Sequence, residues 1–86
     1  MGLIERFNSL TTEEMLVIYS EIDGLSCEKR SEFDKKLHDL CYCETILPRI
    51  GINYAEVDEP QNMRRLKRLA YLAVEQEFSV NSSVRS

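Results

Sequence analysis

Met63-Arg64-Arg65-Leu66-Lys67-Arg68-Leu69-Ala70-Tyr71-Leu72-Ala73-Val74 is the stretch that decides how this chain folds. Projected at about 100° per residue, Met63, Leu66, Leu69, Ala70, Ala73 and Val74 share one half of a helix. An apolar half of that kind has to be buried against other elements. The other half gathers Lys67, Tyr71, Arg64, Glu75, Arg68, Leu72 and Arg65, so it is expected to face outward, with Tyr71 and Leu72 framed by cations. Asp58 reads as the N-cap, with Pro60 suited to the first turn and Gln61 completing a capping box. The helix is expected to span about 59–78, followed by a polar, flexible tail over 79–86.

Working back toward the N-terminus, residues 48–58 alternate Ile50, Ile52 and Tyr54, but a lone strand has nothing to pair with. The segment therefore reads as an ordered loop whose apolar side chains cover the core. Before it, Phe33, Leu37, Leu40 and Cys41 mark a second helix over about 26–46, with Pro48 as its stop. Glu44 projects near Phe33 on that helix. Either it bends out to water or it is buried and paired with an arginine of the last helix. A third helix, about 11–24, begins at the capping box Thr11-Thr12-Glu13-Glu14, carries the stripe Met15, Ile18, Tyr19, Ile22, and closes at Gly24. Leu3, Ile4 and Phe7 form a short N-terminal helical turn over the core. The fold class is therefore all-α, a small bundle of three main helices, with one domain over 1–78.

The chain has 86 residues and a net charge of -4, and the charge is segregated. Residues 1–59 carry thirteen acids against six bases (-7), and residues 60–86 carry two against five (+3), which restores -4. An acidic average weighs against general nucleic-acid binding, whose affinity rests on neutralising phosphates. No apolar run approaches the roughly 18 residues that span a bilayer, and the first ten residues lack a basic start and an apolar h-region. A cytoplasmic location, without membrane contact, is expected. Three cysteines, Cys27, Cys41 and Cys43, are an odd count that argues for free thiols.

Catalytic patterns are missing from the sequence. His38-x-x-Cys41-x-Cys43 has zinc-type ligands, but Cys43 lies about 200° around the helix from Cys41, and a closed four-ligand site cannot be gathered. There is no phosphate-binding glycine loop, nucleophile elbow or His-Glu-x-x-His motif. No enzyme, metal or cofactor is expected.

The expected function is that of a non-enzymatic protein-binding module, an adaptor or an inhibitor, including the kind of host-enzyme inhibitor encoded by a phage or mobile element. Arg64, Arg65, Lys67 and Arg68 would bond to an acidic partner surface, and Tyr71 and Leu72 would supply the desolvated contact. Leu16 and Val17, off the main stripe of the helix over about 11–24, offer a second contact or a homodimer face. The alternative is a helical DNA- or RNA-binding regulator that uses the same basic face, alone or as a dimer.

Overall fold

The computed structural model describes residues 2–76 in full and, for 77–85, the helical backbone alone. Among these residues there are four helices, two short 3-10 turns and no strand. Helix α1 is Leu3–Asn8, α2 is Thr12–Asp23, α3 is Cys27–Cys41 and α4 is Pro60–Arg85, and the 3-10 turns Leu47–Ile50 and Tyr54–Glu56 lie between α3 and α4. The expected flexible tail at 79–86 lies outside the fully described residues.

Local chemistry accounts for most of the boundaries. The Thr11 hydroxyl accepts from the Glu14 amide at 3.2 Å, and the Glu14 carboxylate accepts from the Thr11 amide at 3.1 Å. The capping box read from the sequence is therefore formed, and it satisfies two otherwise orphaned donors. These bonds also hold the Glu14 carboxyl below the usual carboxylate range. Ser26 caps α3 by accepting from the Lys29 amide.

One glycine conformation and two helix boundaries differ from the sequence reading. Gly24 follows α2 at φ -100°, so it stops the helix without entering the left-handed region expected of it. Gly51 takes that role instead, at φ 73°, where it closes the first 3-10 turn. Helix α3 ends at Cys41, about a turn before the expected Thr45 or Ile46. The chain then turns sharply, the Cys43 Sγ contacting the Thr45 hydroxyl at 3.2 Å, and this drives Leu47 into the core. Glu44 consequently leaves the helix and is exposed, which settles it as a solvated carboxylate. At the start of α4, Glu59 and not Asp58 precedes the first helical residue, and its carbonyl accepts from Met63.

Helix α4 is the axis of the molecule. It packs most extensively on α3, and also on α1 and α2. Leu66, Leu69 and Ala70 are fully buried, and Phe33 of α3 and Leu47 of the connector are nearly so. The connector covers the core as expected, through Leu47, Ile50, Ile52 and Val57, while Tyr54 stays outside. Two polar ties fasten it to α4. The Arg65 guanidinium donates to the Ile50 carbonyl, and the Asn62 amide nitrogen donates to the Glu56 carbonyl at 2.8 Å. Arg30 performs a similar service between α3 and α2, donating to the Ile22 carbonyl while its guanidinium lies 5.5 Å from the Phe33 ring centroid.

Candidate functional site

The six residues read as one outward face of α4 are divided by the structure into two groups. Arg64 and Lys67 are exposed. Leu72 is 1% exposed and Arg68 9%, Arg65 is half-buried and engaged with Ile50, and Tyr71 is half-buried. The picture of Tyr71 and Leu72 as a desolvated hot spot ringed by four free cations is therefore corrected.

The reason is coverage by α1. A helical-wheel reading assigns one half of α4 to the core, as if only one layer packed on it. The Arg68 guanidinium lies over the Phe7 ring at 5.1 Å, so α1 closes the second side. Placed around the helix at about 100° per residue, the buried positions form an arc from Arg68 through Leu72, Leu69 and Leu66 to Val74. The sector holding Lys67, Tyr71, Arg64 and Glu75 remains at least partly open.

Arg68 is an unusual member of the core. Its Nε is buried and has no hydrogen-bond partner, and neither ion pair found among the described residues, Lys29–Glu75 and Arg30–Asp34, includes it. What holds the cation is the face of Phe7, whose quadrupole attracts it.

Tyr71 has a specific environment. Burial pushes its phenol up to about 12, reinforced by the charge of Glu75, a hydrogen bond with that carboxylate, and the charge of Glu21. Its folded value thus lies above the ordinary value of 10. The stability this group supplies is complete below about pH 10 and is lost as pH rises from about 10 toward 12. In a spectrophotometric titration of wild type against Tyr71→Phe, the difference between the two should be a single phenolate forming near pH 12, and Tyr71→Phe should flatten the alkaline loss of stability. A Tyr71 step near pH 10 in the folded protein would contradict the buried, Glu75-bonded placement.

The exposed cations do not stand alone. Leu16 is 65% exposed and Val17 58%, and together they form a crest along α2. On one side of it runs a groove of about 540 Å³ whose walls are Leu16, Tyr19 and Ile22 from α2 and Met63, Arg64 and Lys67 from α4. Asp23 and Pro60 also line it. Neither Arg64 nor Lys67 takes part in an ion pair or hydrogen bond among the described residues. On the other side, Val17 borders a groove of about 370 Å³ floored by Ile18, Leu72 and Tyr71 and edged by Arg6, Glu13 and Glu14. The structure thus joins part of the expected α4 site (Arg64, Lys67) to the expected second contact (Leu16), and it assigns Val17 to a separate groove.

One cluster was missed in the sequence. Tyr42 and Tyr54 are 62% and 52% exposed. Their ring centroids are 6.5 Å apart, and Tyr42 is 5.0 Å from the His38 ring. His38 and Tyr42 are four apart, a spacing that places them on one face. Tyr54 joins them only because α3 ends early and the connector folds back. Cys41 is beside this cluster, and its thiol is pushed up by burial and by the charge of Asp58. The Cys43 thiol is instead drawn below the usual thiol range by bonds from the Thr45 hydroxyl and the Ile46 amide. All three cysteines are free. No group of three or more His, Cys, Asp or Glu among the described residues is placed to hold a metal ion, and no described helix is long and apolar enough to cross a membrane.

No protein-family model, curated protein or solved structure matches this chain. The functional reading therefore rests on its surface.

Proposed function

We propose that this chain is a small non-enzymatic protein-binding module, an adaptor or inhibitor, that receives an acidic amphipathic segment of a partner protein in the groove between α2 and α4. The observation that carries the reading is the meeting of exposed Leu16 with Arg64 and Lys67 in that groove, without internal partners for either cation. An apolar strip of Leu16, Tyr19 and Met63 edged by unpaired cations complements a helix or strand with apolar residues on one face and carboxylates beside it. The apolar contacts supply the desolvated centre, and the cations supply register and association rate.

The test is paired affinity capture from the native cell with the wild-type chain and with Arg64→Glu/Lys67→Glu. Both positions are exposed, so the double reversal should shift stability by no more than about 1 kcal/mol. Wild type should recover a partner with an acidic docking segment, and the reversal should lose at least about 90% of it, an effect expected when like charges oppose one another across an interface. Equal recovery by both baits would overturn the reading. Salt-titrated binding to duplex DNA covers the competing regulator reading. With Arg65 and Arg68 engaged inside the fold, two of the four clustered cations are left for phosphates, so a steep salt slope there would contradict the protein-binding role. Sedimentation distinguishes a second copy of this chain from a different partner as occupant of the groove.

A further inference from the structure

The aromatic cluster left aside by the α2–α4 groove has a defined chemistry. His38, Cys41, Tyr42, Tyr54, Val57 and Asp58 line a pocket of about 250 Å³ that shares no residue with that groove. The rings of His38 and Tyr42 are inclined at 51° to each other and those of Tyr42 and Tyr54 at 58°, so the three form an angled wall and not a stack. Asp58 supplies a carboxylate, and no Lys or Arg lines the pocket. Among the described residues, the Asp58 carboxylate has neither an ion pair nor a hydrogen bond. Asp58 lines the pocket beside Cys41, whose thiol is pushed up by burial and, secondarily, by the Asp58 charge.

We infer that the Tyr42–Tyr54–Asp58 pocket is a binding site for an alkylated ammonium group. Tilted aromatic faces present negative quadrupole density to a cation within about 6 Å of their centroids, and this is the means by which quaternary ammonium groups are caged. The single carboxylate adds charge attraction at the rim. Methyl groups on the nitrogen match the apolar floor of Cys41 and Val57, which a strongly hydrated ammonium would have to shed water to reach. The rings belong to three separate pieces of chain: the end of α3, the turn that follows it and the second 3-10 turn. Both tyrosines remain more than half exposed, so their rings are accessible to a ligand from solvent. Free small cations such as choline and the trimethylated lysine side chain of a protein share this chemistry.

Titration of the isotopically labelled chain at low salt, followed by its amide and side-chain resonances, tests the inference. The probes are choline, a short peptide carrying trimethyllysine, and 3,3-dimethylbutan-1-ol, which is the neutral counterpart of choline. Choline or the peptide should produce saturable shifts at Cys41, Tyr42, Tyr54 and Asp58 with a Kd of roughly millimolar magnitude, and the neutral alcohol should produce much smaller ones. The tighter of the two cationic probes identifies the source of the group. Tyr54→Leu and Asp58→Asn should each weaken binding by about 5-fold, and Tyr54→Phe, which keeps the ring, should retain it. Both Tyr54 and Asp58 are exposed, and a far-ultraviolet spectrum of each variant checks that the fold is intact. Equal shifts from the neutral alcohol, or no saturation by either cation up to about 50 mM, would overturn the inference.

Discussion

Leu72→Ala is expected to lower the unfolding free energy by about 2–5 kcal/mol, and Leu16→Ala to change it by no more than about 0.5 kcal/mol. The two leucines are chemically identical, and a wheel projection places both outside the main apolar stripe of their helices. Their environments are opposite, since Leu72 is 1% exposed and Leu16 is 65% exposed. Truncating Leu72 removes transfer free energy and leaves a cavity under α1 and α2, whereas truncating Leu16 removes surface already in water. An 86-residue chain has a total stability of roughly 4–13 kcal/mol on per-residue norms. The Leu72 variant should therefore melt at least about 10 °C below wild type, and the Leu16 variant within a few degrees of it. Thermal melts and urea titrations of the two variants give the answer directly. Comparable melting of both would mean that Leu72 is not core.

Arg68→Glu is expected to unfold the domain or to cost at least about 3 kcal/mol, because it replaces the buried cation with a carboxylate against the negative face of Phe7. Arg64→Glu, four residues away and exposed, should be near neutral. Arg68→Met separates the contributions at the buried site. It keeps the apolar stem over the Phe7 ring and removes an Nε that is buried without a partner. The lost cation–π attraction is about 0.5–2 kcal/mol, while removing the unsatisfied donor returns about 1–3 kcal/mol, so the variant should be as stable as wild type or slightly more so. Chemical denaturation of the three variants distinguishes a packing role for Arg68 from a surface role. Near-equal midpoints for Arg68→Glu and Arg64→Glu would refute its burial.

These two experiments bear on what could be read from the sequence. Elements were legible where a local interaction set them. The Thr11–Glu14 capping box, the Met15 to Ile22 stripe and the Leu66 to Val74 core face each depend on spacing within one helix, and spacing is visible in a sequence. The all-α class followed from them. The end of α3 was not legible, because Tyr42, Cys43 and Glu44 carry no helix-stopping residue. The helix stops because the turn that follows delivers Leu47 to the core, a tertiary gain that overrides local propensity.

The candidate site was legible in composition and not in geometry. Clustered cations on α4 were evident, but which of them face water depends on the Phe7 contact and the Ile50 carbonyl, groups 61 and 15 residues distant in sequence from Arg68 and Arg65. A periodicity analysis treats a helix as having one buried side. Here α3 packs on one side of α4 and α1 on another, and the second coverage consumes Arg68 and Leu72. That Leu16 stands off the apolar stripe of α2 is visible from spacing alone, but that no other element covers it is known only from the fold. The Tyr42–Tyr54 pocket could not be seen, since its two rings meet only through the fold of the connector.

The most direct measurement of the central claim is an amide chemical-shift map of the labelled chain on addition of its captured partner. Shifts concentrated at Leu16, Tyr19, Met63, Arg64 and Lys67, and abolished by Arg64→Glu/Lys67→Glu, are the predicted result. Shifts that leave those five residues unmoved would contradict the assignment of the α2–α4 groove as the binding surface.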